Sequence, residues 1–303
     1  MAASDSRIKR AWQRVDGVLL LDKATGITSN AALQGARRLF SAAKAGHTGT
    51  LDPLATGLLP LCFGEATKFS ADLLDADKTY EAGVQFGVTT DTGDAEGRVL
   101  RRCRVTFRQS ELDAAMASFR GAITQIPPMY SALKLDGKPL YRLARQGIEV
   151  ERTPRQVSIL ELELLEYSGE FCRFRISCSK GTYIRTLMED IGNVLGCGAH
   201  LAALRRVAVG ELDVSSAFTM DHLAALSESE RAACLLPPDA LLQSLPIVSL
   251  DENASFRFCH GNPVLSETAL LTGKCRVYAA NRLLGVGEID AAGYVKPRRL
   301  VCL

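Results

Sequence analysis

The residue best placed for chemistry is a single carboxylate in a loop of glycines and hydroxyls. Residues 46–57 read GHTGTLDPLATG, which puts Asp52 among three glycines and three threonines. Glycine permits a positive φ or a close approach of the backbone to a ligand. Pro53 disfavours the helical conformation in the residue before it, so we expect Asp52 in extended backbone. The pattern fits a carboxylate presented to a ligand, and it fits an ordinary Asp-Pro turn equally well.

The composition narrows the class of protein that carries this loop. The 303 residues are 47% hydrophobic with a formal net charge of +2, which indicates a folded chain of one large or two smaller domains. A global basic field is absent, so any affinity for nucleic acid must come from local clusters of cations. Nine cysteines without a CxxC pair and four scattered histidines argue against a disulfide framework or a zinc site. We expect no metal and no cofactor.

No segment of the sequence predicts export or membrane insertion. The N-terminus lacks the apolar core of a signal peptide. No apolar run approaches the length of a transmembrane helix. We therefore expect a cytoplasmic protein that does not enter a membrane.

Periodicity predicts the elements that hold the loop. From Tyr80 onward apolar and polar residues alternate, which is typical of a half-buried strand. Ser110 with Asp113 resembles a capping box at a helix start, and Gly196 is suited to end a helix. Strand patterns cover residues 18–21, 80–88, 157–165 and 171–178, and helical spacing covers residues 29–40, 110–119 and 184–195.

Two stretches differ from this regular core. Residues 125–152 hold two consecutive prolines, an Asp-Gly pair and many cations but little core pattern, which predicts an excursion from the sheet. Three prolines between residues 237 and 246 predict a domain boundary near residue 246. Beyond it, short strand patterns at 276–279, 283–289 and 294–297 predict a small β-rich appendage.

The loop is accompanied by five further motifs in a fixed order. These are GVLLLDK at 17–23, DKTY at 77–80, QIPPMYSA at 125–132, SKGTYIR at 179–185 and LRR at 204–206. Together with the loop, which is the most specific of the six, they resemble the motifs of the TruB family of bacterial tRNA pseudouridine synthases over nearly the full length. The resemblance implies an α+β fold with a mixed, largely antiparallel central sheet flanked by helices, followed by a small β-rich domain of PUA-like type.

The resemblance also implies a division of the chain. Residues 1–13 would be a flexible N-terminus, residues 14–245 a catalytic domain and residues 247–303 the PUA-like RNA-binding domain. Within the catalytic domain, residues 124–155 would form a thumb-like insertion that closes over an RNA stem-loop.

The activity implied by the resemblance is isomerisation of uridine 55 in the T loop of tRNA to pseudouridine, after the base has been flipped out of its stack. Asp52 would be the nucleophile, and Tyr80 would stack on the uracil as a candidate for proton transfer. Arg185 would pair with Asp52, lower its pKa and keep it ionised. Taken alone, Tyr80 could be a core residue and Arg185 an exposed helical cation. The sequence leaves open whether Asp52 attacks the base or the sugar carbon C1′.

Other residues would contact RNA if the resemblance holds. His47 would stack on nucleotides of the flipped loop, and Leu204 would give an apolar contact to the base. Arg205 and Arg206 would extend the cationic footprint. A run of charges such as that in the insertion is more often a solvated face. The predicted RNA-binding residues are Lys23, His47, Thr50, Lys134, Arg142, Lys180, Tyr183 and Leu204, with Lys138, Arg145, Arg152 and Arg155 as further cations of the insertion.

Two kinds of function stay open. An enzyme would act on tRNA through its T stem-loop, as a monomer without an obligatory protein partner. A tRNA folding chaperone would use the same surface without turnover. The two differ only at Asp52, Tyr80 and Arg185, and the presence of all three favours the enzyme.

Overall fold

A large sheet and a smaller second sheet form this computed structural model, which describes residues 11–266 and 272–302. In chain order the strands are β1 (Gly17–Lys23), β2 (Ala45–His47), β3 (Thr56–Phe63), β4 (Lys78–Phe86), β5 (Val88–Thr90), β6 (Val99–Arg102), β7 (Gly121–Gln125), β8 (Lys134–Leu135), β9 (Lys138–Pro139), β10 (Arg155–Ser168), β11 (Phe171–Cys178), β12 (Ala199–Val209), β13 (Leu212–Asp213), β14 (Ile247–Ser249), β15 (Val264–Leu265), β16 (Gly273–Ala279), β17 (Arg282–Ile289) and β18 (Tyr294–Leu300). The helices are α1 (Ser29–Leu39), α2 (Ser70–Leu74), α3 (Gln109–Ala117), α4 (Leu140–Ala144), α5 (Ile184–Val194), α6 (Met220–Ala225), α7 (Glu228–Ala233) and α8 (Glu252–Cys259), with 3₁₀ turns at Gly64–Phe69, Val214–Ser216 and Ala240–Leu242.

The large sheet consists of two halves joined by β12. Its order is β1-β3-β12-β4-β11-β10-β7, with β2 also paired to β3 and β13 to β12. β12 runs parallel to β3 and antiparallel to β4. The other pairs within this sheet are antiparallel. The predicted α+β fold with a mixed, largely antiparallel sheet is confirmed.

An apolar core lies between the second half of the sheet and α5. The predicted alternation on β11 is present: Cys172, Phe174, Ile176 and Cys178 are buried, and the residues between them are at least partly exposed. They pack with apolar residues of β4 and of α5. Burying each large apolar side chain contributes about 1.5–3 kcal/mol. This burial fixes α5, and with it Arg185, against the sheet.

A second apolar cluster packs α1 against β1 and β3. The helix buries Ala32, Leu33 and Ala36 in this cluster. It begins as the sequence predicts, and the Oγ1 of Thr28 caps it by accepting from the backbone N–H of Ala31 at 3.1 Å. The start of α1 is therefore fixed close to the loop that follows β2.

The start of α3 differs from the prediction. The helix begins at Gln109, and the backbone N–H of Arg108 donates to the carboxylate of Glu111 at 2.8 Å. Ser110 lies inside the first turn, where it cannot cap the helix. The predicted capping box of Ser110 and Asp113 was therefore wrong, because the helix starts earlier in the sequence than predicted.

The second sheet follows the large one and contacts it. Its order is β14-β16-β17-β18-β15, and Phe258 of α8 is buried in its core. The guanidinium of Arg276 lies 3.1 Å from Asp239 of the preceding region, and Lys68 donates to the carbonyl of Leu300 at 2.9 Å. The predicted β-rich C-terminal unit is confirmed.

The excursion between β7 and β10 contains the hairpin β8–β9, the short helix α4 and connecting loops. The backbone N–H of Leu140 donates to Leu133 at 2.7 Å, and that of Tyr141 donates to Ser131 at 3.1 Å. These bonds fold the excursion back on itself beside the loop that contains Ser131.

At the N-terminus the description begins with residue 11. Residues 1–10 of the predicted flexible segment lie outside the described residues, and Gln13 pairs with Ala42. Within the described ranges, none of the helices combines the length and apolar character needed to cross a membrane.

Candidate active site

The loop between β2 and β3 is held by buried polar contacts and by a required glycine. The Oγ of Ser29 donates to the carbonyl of Leu51 at 2.9 Å and accepts from its N–H at 2.8 Å. Gly57 has a φ of +97°, and a Cβ there would lie 2.2 Å from the carbonyl oxygen of Arg206. A side chain at this position would collide with β12. The loop therefore presents Asp52 from a fixed backbone.

Lys23 holds the same loop from inside the protein. Its side chain is 1% exposed, and its Nζ donates to the carbonyls of Ala24 and Ile27 at 2.8 Å and of Pro53 at 3.4 Å. Burial lowers the pKa of this lysine to about 8. The prediction that Lys23 contacts RNA was wrong, because the ammonium group is turned inward onto backbone carbonyls.

Arg185 joins Asp52 to a second aspartate. Its Nη2 lies 3.0 Å from Asp52 Oδ2, and its Nη1 lies 3.4 Å from Asp94 Oδ2. The guanidinium also donates to the carbonyls of Thr92 at 2.9 Å and Tyr130 at 2.6 Å. The side chains of Arg185 and Asp94 are 5% exposed, whereas that of Asp52 is 41% exposed. The arginine is fixed, and the Asp52 carboxylate reaches solvent.

Burial and Arg185 act in opposite directions on the Asp52 carboxyl. Burial raises its pKa most strongly, the charge of Asp94 adds to the rise, and the charges of Arg185 and Lys23 lower it. The net pKa lies above the ordinary value for an aspartate. Arg185 lowers the pKa as expected, but burial and the charge of Asp94 outweigh it, so the net shift is upward.

A cavity of about 720 Å³ opens beside Asp52. Its walls are the start of α1, the loop 47–53, the loop 91–98 and part of the excursion at residues 130–132, 141 and 145, together with Arg185. A site of this size, with a few converging polar groups, fits a ligand of nucleotide dimensions.

Tyr80 lies in the sheet behind the loop, and it does not line the cavity. It is paired with Ile176 on β11 and Arg206 on β12, and its ring packs against both apolar clusters of the large sheet. Burial raises the pKa of its phenol, and the charge of Arg206 opposes that rise. Stacking of Tyr80 on a base stays a prediction.

His47 and Thr50 both line the cavity, as a role in binding requires. The Nδ1 of His47 is buried and has no hydrogen-bond partner among residues 11–266 and 272–302. Burial and, to a lesser degree, Arg206 lower the pKa of this histidine, so its ring is neutral at pH 7. Thr50 is exposed at the rim.

Tyr183 lies at the base of the excursion and holds it in place. Its backbone N–H donates to the Oε1 of Gln125 at 3.0 Å, and its carbonyl accepts from the Nε2 at 3.2 Å. The guanidinium of Arg155 lies 5.1 Å from the centre of its ring. Arg152 donates to the carbonyl of Pro127 at 3.3 Å. These two arginines secure the excursion, in contrast to the phosphate contacts predicted for them.

The cations farther along the excursion are free to meet a ligand. The side chains of Lys134, Lys138, Arg142 and Arg145 are exposed, and Arg145 also lines the cavity. Contact of these cations with RNA stays a prediction.

Two predicted contacts lie outside the cavity wall. Lys180 is exposed and pairs with Asp75 at 2.7 Å. Leu204 is partly buried against the two apolar clusters. Contact of these two residues with RNA stays a prediction.

Arg206 differs from the predicted cationic footprint. It is 1% exposed and donates to the carbonyls of Leu58 at 2.8 Å and Gly49 at 3.5 Å. Its predicted part in the footprint was wrong, because it is buried behind the loop. Arg205 forms two hydrogen bonds with the carboxylate of Asp22, at 3.0 and 2.7 Å, and 40% of its side chain is exposed, so its contact with RNA stays a prediction.

Sequence reasoning missed two acidic residues next to Arg185. Asp94 lies in the turn between β5 and β6, and Glu189 follows Arg185 by one helical turn of α5. A Cβ on Gly93 would lie 2.8 Å from the Glu189 carboxyl carbon, so this carboxylate packs against the backbone of the turn. Burial raises its pKa to about 7. The i,i+4 spacing of Arg185 and Glu189 was the available signal.

These acidic residues do not build a metal centre. In the described part of the chain, no group of three or more histidine, cysteine, aspartate or glutamate side chains could hold a metal ion. Asp52 and Asp94 face the guanidinium of Arg185 instead.

The fold is similar to solved structures of RNA-modifying assemblies. A structure titled "Structure of H/ACA RNP bound to a substrate RNA containing 2'-deoxyuridine" matches with a TM-score of 0.72 at 23% identity, covering 95% of this chain and 85% of that chain. The archaeal box H/ACA sRNP Nop10-Cbf5 complex matches with a TM-score of 0.70 at 23% identity, covering 94% and 85%. At this identity the likeness shows the fold alone.

Sequence comparisons identify the family. Residues 37–184 match the model of the TruB family pseudouridylate synthase N-terminal domain, residues 185–243 that of the tRNA pseudouridylate synthase B C-terminal domain, and residues 246–301 that of the pseudouridine synthase II TruB C-terminal region. The tRNA pseudouridine synthase B of Dechloromonas aromatica (strain RCB) is 62% identical over 297 residues, with 98% of this chain and 99% of the relative covered. That of Stutzerimonas stutzeri (strain A1501) is 53% identical over 301 residues, with 98% and 99% covered. The chain belongs to the TruB family of pseudouridine synthases.

Proposed function

We propose that this chain isomerises uridine 55 in the T loop of tRNA to pseudouridine. Membership of the family supports pseudouridine formation, and the names of relatives that are 62% and 53% identical support tRNA as the substrate. The observation that carries the proposal is the 3.0 Å pair of Asp52 and Arg185 at the wall of a cavity of nucleotide size.

The isomerisation breaks the bond between C1′ and N1, turns the uracil and joins C5 to C1′. The hydrogen of C5 is released as a proton and N1 gains one, so atoms and electrons balance. Asp52 acts as the nucleophile, at the base or at C1′, and the bond that it forms breaks again before the product leaves, so the carboxylate is regenerated. Because burial raises the pKa of this carboxyl, its ionised form is a stronger base and nucleophile than an exposed carboxylate.

A uridine in a folded T loop must leave its stack to reach Asp52, which costs roughly a few kcal/mol. The cavity receives the flipped base, His47 lies at its edge, and Tyr80 stacks on the uracil and takes part in proton transfer once the RNA has entered. Exposed cations of the excursion, Lys134 and Arg142 among them, bind phosphates and offset this cost.

The proposal extends to the division of the chain. Residues 14–245 form the catalytic domain, residues 124–155 the thumb-like insertion and residues 247–303 a PUA-like domain that binds tRNA. We expect a cytoplasmic monomer that needs no second protein.

The nucleophile is tested with Asp52→Asn. The amide keeps the shape of the side chain and cannot form the covalent bond, so single-turnover pseudouridine formation on a T-stem-loop transcript should fall by about a thousandfold or more. Binding of the same transcript should stay close to that of the parent chain. Asp113→Asn, on the exposed surface of α3, makes the same chemical change away from the site and should keep full turnover.

Turnover by Asp52→Asn close to the parent rate would contradict the nucleophile assignment. If neither the parent nor Asp52→Asn forms pseudouridine and both speed the folding of tRNA equally, the chain is a folding chaperone.

A further inference from the structure

The segment after the cavity loop 91–98 is strongly basic. Residues 98–108 contain five arginines and no acidic residue, in a chain whose net charge is +2. Arg98 is paired with Asp91 at 3.1 Å. For the side chains of Arg101, Arg102 and Arg104, no hydrogen bond or ion pair to any described residue is found. The positive charge of this segment is thus not cancelled by contacts within the part of the chain that the structure describes.

The geometry of the β5–β6 hairpin turns part of this charge outward. Every residue of β6 is exposed, and Leu100 has 65% of its surface exposed. The ladder continues one residue past β6, where the N–H of Cys103 donates to Gly87 at 2.7 Å. The register shifts between Thr89 and Thr90, so Leu100 lies in a β-bulge. The side chains of Leu100, Arg102 and Arg104 are exposed, and we call these three the outer face of the hairpin. Arg101 lies near Gly198.

This outer face begins at the cavity and leads away from it. The turn of the hairpin, residues 91–98, forms one wall of the cavity. Thr90 is paired with Val99 and Val88 with Arg102, so β6 runs outward from that wall. At roughly 3.3 Å per residue, the stretch from residue 98 to residue 104 covers about 20 Å. That length is sufficient to follow several phosphates of a nucleic-acid strand.

The three acidic residues of the turn form no ion pair with Arg102 or Arg104. Asp91 is occupied by the backbone N–H and the guanidinium of Arg98. Asp94 is buried and faces Arg185, and Glu96 is exposed and lines the cavity. Arg102 and Arg104 therefore keep their donors for a phosphate, which arginine can bind through two parallel hydrogen bonds.

We propose that the outer face of the β5–β6 hairpin, formed by Leu100, Arg102 and Arg104, is a second RNA-binding surface, separate from the excursion. It contacts the phosphate backbone of the tRNA strand that continues beyond the cavity, and Leu100 gives an apolar contact to a sugar or base. The proposal rests on the proposed function, since it takes the RNA in the cavity as its starting point.

The test is the salt dependence of binding to an unmodified tRNA transcript. The double variant Arg102→Gln/Arg104→Gln should bind more weakly than the parent, and the slope of log K against log salt should become shallower by about 1.5, because two phosphate contacts are lost. Arg38→Gln/Lys44→Gln removes the same charge from two exposed side chains, one in the last turn of α1 and one in the segment after it, and should leave the slope unchanged. Arg102→Lys/Arg104→Lys should keep the slope, because the charge is kept.

A slope in Arg102→Gln/Arg104→Gln equal to that of the parent or of the distant control would overturn the proposal. Loss of slope in the lysine variant as well would overturn it too, since the fold of the hairpin, and not its charge, would then be responsible. These are binding measurements on the full chain. Absence of pseudouridine formation by the parent would therefore count against the proposed function without deciding this surface.

Discussion

At the residue scale, the site is organised around one guanidinium that serves two carboxylates. Arg185 is held by Asp94 and by the carbonyls of Thr92 and Tyr130 as well as by Asp52. If Asp52 turns toward a ligand, three acceptors remain on the arginine. A buried cation needs such partners, since an unpaired charge in the interior is strongly unfavourable. Asp52 can therefore move while Arg185 stays fixed.

Glu189 makes the stability of the chain depend on pH. Its pKa is raised to about 7, first by burial and further by the nearby charges of Asp190 and Asp94, whereas the unfolded chain releases this proton near pH 4.3. The folded state therefore holds a proton that the unfolded state has lost, and its stability falls as the pH rises from about 4.3 to about 7. Glu189→Gln removes the titrating group, and with it the loss of stability at high pH. The variant should melt at a higher temperature than the parent at pH 8 and at the same temperature near pH 4.

Thermal unfolding followed by circular dichroism across this pH range checks the prediction. Glu163→Gln, an exposed residue of β10, is the matched control and should show no pH-dependent difference. A constant difference between Glu189→Gln and the parent at every pH would rule out the assigned titration.

The sequence was sufficient to select Asp52 and Arg185, because the motifs that contain them are long and ordered. It was not sufficient to predict the direction of the Asp52 pKa shift. That direction depends on burial and on the charge of Asp94, and neither can be inferred from the residues next to Asp52 in the sequence. The same limit applies to Lys23 and Arg206. From sequence, a cation in a motif is expected to contact a ligand at the surface. Only the folded structure shows that the donors of these two side chains point at backbone carbonyls inside the protein.

At the scale of elements, five segments meet at the cavity, among them the start of α1, and two of the five are basic. The loop 47–53 carries Asp52, α5 carries Arg185, and the β5–β6 hairpin and the excursion form walls. The excursion is anchored through Tyr183 and Gln125, while its cations at residues 134–145 remain exposed. A rigid base with exposed charges beyond it suits a segment that closes on a polyanion.

Removing charge from the excursion should weaken RNA binding. In Lys134→Gln/Lys138→Gln/Arg142→Gln, loss of up to three phosphate contacts should make the salt slope shallower by about 2 to 3 for a T-stem-loop transcript. Filter binding or fluorescence anisotropy over a salt series measures this slope. Arg38→Gln/Lys44→Gln is again the control for charge far from the cavity. An unchanged slope in the triple variant would show that the excursion does not contact phosphate.

The elements with clear apolar alternation were predicted correctly from sequence. β4 and β11 carry one buried face, and the pattern shows it directly. β6 was not predicted, because all four of its residues are exposed and an exposed strand has no apolar period. The start of α3 was missed for a different reason. Glu111 and Asp113 can each cap a helix start, and the local sequence does not decide which of two neighbouring residues begins the helix.

At the scale of the whole molecule, a buried ion pair joins the second sheet to the segment that precedes it. Asp239 precedes the 3₁₀ turn Ala240–Leu242 and is 3% exposed. Its Oδ2 lies 3.1 Å from Arg276 Nη1 on β16 and accepts from the hydroxyl of Tyr278. Arg276 also donates to the carbonyl of Leu245 at 3.1 Å. The position of the second sheet is thus set by directional bonds in addition to apolar packing.

Removal of the Asp239 carboxylate should lower the stability of the fold far more than removal of a surface ion pair. Asp239→Ala leaves the buried Arg276 without its counter-charge, and we expect a loss of about 3–5 kcal/mol in the free energy of unfolding. Lys296→Ala breaks the exposed pair with Asp290 at 3.0 Å and should cost less than about 1 kcal/mol. Urea denaturation of both variants gives the comparison. Equal losses in the two would refute the structural role of Asp239.

The central position of β12 has a consequence for the order in which the chain is made. Residues 17–178 supply both halves of the large sheet, yet the strand that joins them is residues 199–209. Until that strand leaves the ribosome, β3 and β4 each have an open edge. Asp52 and Arg185 then belong to two parts of the chain that no strand pairing connects. Contacts so distant in sequence are slow to form. A nascent or truncated chain therefore carries Asp52 without the complete site, and the proposed activity requires the complete fold.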